Sequence, residues 1–242
     1  MTFTNKINVL IPAAGRGSRS GLNYPKTLYK VDGKEILLYI LDLIKEIDRK
    51  PTLIVSPDGS EIIRNFLIKN NRNAELILQE KALGMGNAIL QYKYSESYQL
   101  AEDIILIWGD IPFIRKKTLS KLIKEHFSSR NDFTLITKNV DKAYTIIERN
   151  SKNEITNIKE TREEGSSPIN GERDIGLFIF KKRTVFEILE EELPQKYGLK
   201  TNEHGFLYII KHLSKRGYKI EGLPIASEKE LRSLNYISDL DV

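Results

Sequence analysis

The sequence predicts an α/β fold: a mixed, mostly parallel central sheet flanked by helices, with an antiparallel portion in the second half. Three observations carry this expectation. Short apolar runs alternate with amphipathic stretches through the first half, a loop of small residues follows the first run, and hairpin signals replace the alternation beyond about residue 138. At 242 residues the chain is long enough to bury a full core as one domain.

The first run, 9–11, is too short for a helix and meets Pro12 at once, so it reads as a buried strand entering a loop. Ala13, Ala14, Gly15 and Gly17 carry almost no side chain. Backbone N–H groups in such a turn can approach an anion closely, and glycine tolerates the positive φ that a concave turn needs. Arg16 and Arg19 add permanent positive charge, and Lys26 adds more after Pro25, which stiffens the chain before it. A phosphate loop and an ordinary tight turn both fit these residues. No Gly-Lys-Ser/Thr follows at P-loop spacing, and Ser20 stands where the third glycine of a dinucleotide fingerprint belongs. That broken pattern also counts against a pyridine-dinucleotide oxidoreductase.

Residues 36–47 place apolar side chains at 36, 37, 40, 41, 44 and 47, the stripe of an amphipathic helix. A β-branched strand at 52–55 ends in Pro57-Asp58-Gly59. Asp58 with Glu61 has capping-box spacing for a helix that closes near Asn70-Asn71. A strand at 75–78 leads to a small, polar segment from Gln79 to Ala88 and a helical run. The strand at 104–108 is continuously apolar, and Gly109-Asp110 sits at its C-terminal end, where ligands bind in open α/β sheets. A carboxylate there suits magnesium, which takes oxygen donors and relies on substrate phosphates for much of its shell; it could equally cap a turn. A helix at 117–127 and a strand at 133–137 complete the alternation. The second half then reads as a hairpin of 144–148 and 155–159, a strand at 175–180, and a helix over 203–216.

Composition narrows the function classes. The chain is 40% hydrophobic and 29% charged, ordinary values for a globular protein. It has no cysteine, hence no disulfide and no thiolate metal site, and His126, His204 and His212 lack zinc spacing. No signal-peptide pattern opens the sequence and no run is long enough for a bilayer, so the expectation is a cytoplasmic protein without a membrane partner. The net charge of +5 is spread among acids, as in Lys124-Glu125, without an aromatic-rich basic groove. This favours a solvated face, or attraction of phosphorylated substrates, over nucleic acid.

Pro12-Ala-Ala-Gly-Arg-Gly-Ser-Arg19, followed by Pro25-Lys26, resembles the G-x-G-T/S-R…P-K signature of nucleotidyltransferases that make NDP-sugars. The likeness extends to the uridylyltransferase domain of the bifunctional N-acetylglucosamine-1-phosphate enzymes. It implies a Rossmann-like nucleotidyltransferase domain over 1–242, with a nucleotide-binding portion at about 1–138 and an acceptor-binding portion at about 139–242. Gln79, Gly84 and Ala88 fall on a Q-x-x-x-x-G-T-x-x-A segment that addresses the base, although Met85 replaces the threonine. Residues 107–114 resemble Y-G-D-x-P-L-I, whose aspartate binds metal, and 231–235 resemble x-x-G-V-N.

Carried over residue by residue, the resemblance implies Arg19 and Lys26 as catalytic. Ala13, Ala14, Gly15, Arg16, Gly17, Gln79, Gly84 and Asp110 would bind nucleotide, Glu160 and Asp174 the acceptor, and Asp110 with Asn235 a magnesium ion. The implied partners are an NTP, with UTP or CTP favoured, and a phosphorylated small metabolite, most simply a sugar 1-phosphate. Departures lie on the acceptor side. Thr145 stands for the glycine of Y-G-R-I-V, Asp174-Ile175-Gly176 for N-T-G, and Leu207-Tyr208 for L-T-D near Glu203. They keep open a CTP-dependent enzyme acting on a phosphorylated non-sugar, and a domain that binds nucleotide without turning it over. The acetyltransferase half of the bifunctional enzymes has no counterpart in these residues, so acetyl transfer is not expected. Base, acceptor and number of subunits stay open at this point.

Overall fold

The computed structural model describes residues 6–15 and 21–234. In chain order, its first elements are β1 (Ile7–Pro12), β2 (Lys30–Val31), β3 (Lys34–Glu35), α1 (Ile36–Ile44), β4 (Thr52–Val55), α2 (Pro57–Lys69) and β5 (Glu75–Leu78). There follow α3 (Met85–Gln91), α4 (Glu96–Leu100), β6 (Asp103–Ile107), α5 (Lys116–Ser128), β7 (Phe133–Ala143), β8 (Thr145–Arg149) and β9 (Ile155–Glu160). The last are α6 (Thr161–Glu164), β10 (Ile169–Lys181), α7 (Lys182–Glu190), α8 (Ile209–Lys215) and β11 (Ile220–Leu223). The predicted architecture holds: a mixed, mostly parallel sheet with flanking helices, plus small antiparallel pairs. None of the helices among the described residues is long and apolar enough to cross a membrane.

Two compact units divide the chain. The first joins Met1–Ala82, Gln91–Lys116 and Glu228–Val242. Four of its strands run parallel in the order β6-β1-β4-β5, with Leu10 opposite Thr52 and Leu106, while β2 and β3 form a small antiparallel pair. Val9, Leu10, Ile11, Leu53, Ile54 and 104–107 are fully buried, as expected of parallel strands covered on both faces. α1 buries Ile36, Leu37, Ile40, Leu41 and Ile44. It stops at Ile44, short of the predicted 47, where the Ile47 amide turns back to the Ile44 carbonyl in the three-residue bond of a tighter turn. Asp48 is thereby brought to the Val9 amide at 2.8 Å and to Asn8 at 2.7 Å. The cap of α2 is also corrected: Ser56, not Asp58, accepts from the Gly59 amide, with Pro57 filling the first helical position.

The second unit joins Leu83–Leu90 and Lys117–Ser227. β7 pairs with β10 antiparallel and with β11 parallel, and β8 with β9 forms the predicted hairpin. β7 and β10 run well beyond their predicted ends, with register irregularities in β10 near 169–171 and 174–178. Phe133, Phe178, Phe180 and Phe206 form the aromatic centre of this unit, with Phe133 and Phe180 stacked at 5.6 Å. α7 and β11 were not anticipated. α8 starts at Ile209, not 203, because the Gly205 amide is drawn to the Lys196 carbonyl at 2.8 Å.

Candidate active site

In the first unit, β1 and β6 run parallel and finish at the same edge. A side-chain carbon at Gly109 would stand 2.5 Å from the Pro12 carbonyl oxygen, so only glycine permits this approach. Asp110 is thus delivered to the turn that follows β1. In that turn Ala13 and Ala14 are buried and Gly15 is exposed. The Ala13 amide donates to the Ile54 carbonyl at 2.7 Å, which engages it in the sheet.

Lys26 enters from a short 3-10 turn over Lys26–Leu28. The turn is fixed by packing: a side-chain carbon at Gly59, in the first turn of α2, would lie 2.9 Å from the Pro25 ring. Lys26 Nζ forms an ion pair with the Asp110 carboxylate and donates to the Leu234 carbonyl at 3.4 Å. The lysine and aspartate side chains keep only 26% and 14% of their exposure, so the pair is less screened than a surface bridge. The Leu234 amide in turn donates to the Asp110 carbonyl at 3.0 Å. The approach to Leu234 is held by Glu230, 1% exposed, whose carboxylate accepts from the Arg115 amide at 3.1 Å and from its Nε at 2.8 Å. Gln79, buried just past β5, extends the ladder through its amide to the Val55 carbonyl at 2.8 Å.

Arg16, Gly17, Arg19 and Asn235 lie outside the described residues. Among the described residues no group of three His, Cys, Asp or Glu side chains gathers as a metal cage. The donor chemistry nevertheless fits magnesium, which is commonly held by one or two protein oxygens, with phosphates and waters supplying the rest. Lys26 engages Oδ2 of Asp110, and among the described residues Oδ1 takes no hydrogen bond, so it can serve as an oxygen donor.

The second unit carries the other expected residues. Gly84 has φ +98°, and a side-chain carbon there would come within 2.5 Å of the His204 carbonyl oxygen. Its own carbonyl accepts from the Ala88 amide at 3.0 Å and opens α3. Glu160 ends β9, and its carboxyl group is raised to about 7, first by burial and then by the nearby Asp174 and Glu163 charges. No hydrogen bond from the described residues offsets this, so a partly buried acid is held without a stabilising donor. Asp174 is 3% exposed. Its Oδ1 accepts from the Thr145 hydroxyl at 2.6 Å and its Oδ2 from the Gly176 amide at 2.9 Å. Both of its oxygens are therefore engaged by the protein.

Three participants were missed by sequence reasoning: the Leu234 carbonyl, the Thr145 partner of Asp174, and His204. A main-chain carbonyl leaves no mark in a sequence. Thr145 and Asp174 each stood out as a departure, and that they are two halves of one bond was the available signal.

An open parallel sheet that brings a lysine and an aspartate together beside a small-residue turn has the build of a nucleotidyltransferase domain. The chain belongs to the MobA-like NTP transferase domain family, whose model matches residues 9–175. It is similar to the bifunctional protein GlmU of Buchnera aphidicola subsp. Baizongia pistaciae, 29% identical over 97% of this chain and 51% of that protein. It is also similar to the bifunctional protein GlmU of Fervidobacterium nodosum, 31% identical over 76% of this chain and 40% of that protein. The chain thus spans about half the length of these relatives or less. In fold it is similar to a UDP-glucose pyrophosphorylase solved with UDP-glucose, with a TM-score of 0.71 at 19% identity, covering 94% of this chain and 96% of that one.

Proposed function

We propose that this chain is a magnesium-dependent nucleotidyltransferase of the pyrophosphorylase type. It joins an NTP, UTP or CTP, to a sugar 1-phosphate, forming an NDP-linked product and releasing pyrophosphate. The observation that carries this reading is the ion pair between Lys26, in its 3-10 turn, and Asp110, just past the end of β6. Support also comes from relatives named as bifunctional GlmU proteins and from a fold shared with a UDP-glucose pyrophosphorylase.

A phosphomonoester has its second pKa near ~6, so at neutral pH it is mostly a dianion and needs no general base. One of its oxygens bonds to the α-phosphorus of the NTP while the bond to the β-phosphate oxygen breaks and pyrophosphate leaves with that electron pair. Positioning and charge neutralisation then supply the catalysis. In the NTP complex, Lys26 exchanges its carboxylate partner for the α-phosphoryl oxygens, where negative charge accumulates. Gly15, Gly17, Arg16 and Arg19 hold the β- and γ-phosphates, and Gln79 and Gly84 address the base. Asp110 and Asn235 would hold a magnesium ion, which would supply positive charge to neutralise the phosphates. Glu160 accepts hydrogen bonds from acceptor hydroxyls, and Asp174 fixes Thr145 beside them. We read the reaction as cytoplasmic.

A second reading, CTP-dependent transfer to a phosphorylated amino acid, alcohol or amine, rests on the Thr145–Asp174 pair and the raised Glu160, since carboxylates suit a cationic acceptor. The experiment is pyrophosphate release with magnesium, scanning UTP, CTP, ATP, GTP and dTTP against sugar 1-phosphates and phosphorylated amines, alcohols and amino acids. Turnover with UTP and a hexosamine phosphate supports the first reading, and with CTP and a non-sugar the second. No release with any pair would count against both.

A further inference from the structure

The segment 203–205 is stitched to the loop 83–86 within the second unit. The His204 amide donates to the Leu83 carbonyl at 2.8 Å, and the Gly86 amide donates to the His204 carbonyl at 2.9 Å. This is a fragment of sheet-like pairing between two stretches that are not strands. The fit is close on every side. A side-chain carbon at Gly86 would stand 2.0 Å from the Gly205 carbonyl oxygen, 2.7 Å from His204 Cδ2 and 2.8 Å from its Nε2. The imidazole therefore fills the volume that any other residue at 86 would need. It is itself 4% exposed, with the Tyr197 and Tyr208 rings each 5.8 Å away.

The same tripeptide reaches the other end of the unit. The Gly205 amide is tied to the Lys196 carbonyl, and a side-chain carbon at Gly205 would be 4.0 Å from Glu160 Oε1. One short segment thus bonds the glycine loop through its main chain and passes beside the Glu160 carboxylate at Gly205. The role of the imidazole is one of shape. Burial, and then Lys196, hold it well below its ordinary pKa, at about 4, so it is neutral at physiological pH. Its contact with the Tyr208 hydroxyl, at 3.4 Å, is long for a hydrogen bond.

We propose that His204 is a positioning residue: its main chain and ring lock the 83–86 loop to the Glu160 end, so that a nucleotide seated on the loop orders the acceptor end as well. This rests on the nucleotidyltransferase reading above, with 83–86 as the base loop.

The test is hydrogen–deuterium exchange on the full chain, alone and with UTP or CTP plus magnesium. In the wild-type protein the bound nucleotide should slow exchange in 83–88 and in 203–206 together. His204→Ala should confine the slowing to 83–88 and weaken nucleotide binding by about tenfold, the usual scale of coupling between sites. His204→Phe retains a flat neutral ring and should restore both effects, which a general loss of packing would not. Slowing limited to 83–88 in the wild-type protein, or unchanged spread in His204→Ala, overturns the proposal and leaves the nucleotidyltransferase reading intact. No slowing anywhere with either nucleotide, together with no pyrophosphate release, overturns both. Should His204→Ala fail to fold, the wild-type pattern and His204→Phe still decide.

Discussion

The Thr145 hydroxyl donates to Asp174 Oδ1 at 2.6 Å, joining the two positions at which β8 and β10 depart from the family pattern. Both residues are buried, and the other oxygen of Asp174 takes the Gly176 amide. Thr145→Val removes the donor from a buried carboxylate and should cost about 2 kcal/mol of stability, seen in chemical denaturation. Asp174→Asn is gentler, because its amide oxygen can accept from Gly176 while its NH₂ donates to the Thr145 oxygen. That variant should fold and, having lost a neighbouring negative charge, lower the Glu160 titration from about 7, as followed by carboxyl-carbon NMR. A Glu160 titration that stays in place would show that the two carboxylates do not sense each other.

Glu160 and His204 should impose opposite pH dependences on stability. Glu160 titrates at about 7 in the folded chain against 4.5 ordinarily, so between these values the folded state binds more protons and stability falls as pH rises. His204 titrates at about 4 against 6.5, so the folded state binds fewer protons and stability rises with pH across that window. Each effect reaches on the order of 3 kcal/mol at full extent. In the wild-type chain they largely offset. Denaturation from pH 4 to 8 should therefore show a net rise for Glu160→Gln and a net fall for His204→Phe; equal profiles for the two variants would contradict both assignments.

Lys26→Ala should leave a folded protein whose pyrophosphate release is lower by about 10²–10³, the scale for loss of one preorganised donor to a charged transition state. Circular dichroism establishes the fold and steady-state turnover the loss. Retention of more than about a tenth of wild-type turnover would remove Lys26 from the charge-neutralising role.

Gly109→Ala tests the meeting of β1 and β6. Its new methyl group would sit 2.5 Å from the Pro12 oxygen, a backbone atom that cannot swing aside. We expect a loss of about 1–3 kcal/mol in thermal or chemical unfolding, as for other overpacked sites. Turnover should fall beyond that, because Asp110 moves with the strand end. Wild-type melting and turnover would mean that the approach is looser than described.

The parallel half was legible because its signals are local. β4 and β5 fall on their predicted residues, since a β-branched or apolar run between turn residues needs no distant information. α7 was overlooked because its first turn, Lys182-Arg183, carries charge, although Val185, Phe186, Ile188 and Leu189 behind it are buried at helical spacing. β11 contains Gly222 and a half-buried Glu221, and it exists as a strand through its parallel pairing with β7. In the site, Lys26 and Asp110 were expected to belong together. Their tie to Leu234, the Thr145–Asp174 bond and the His204 junction depend on how distant segments meet, which neither composition nor spacing encodes.

The tie from Leu234 to Lys26 and Asp110 separates recognisability from competence. The stretch that marks family membership ends at residue 175, whereas the lysine and aspartate within it are braced by residues more than fifty positions further on. A fragment trimmed to the recognisable stretch would keep both charged side chains and lose their brace, along with the buried carboxylate that steadies Arg115. For such a fragment, a search by family pattern would still report a nucleotidyltransferase, but the assembly that positions its charges would be gone.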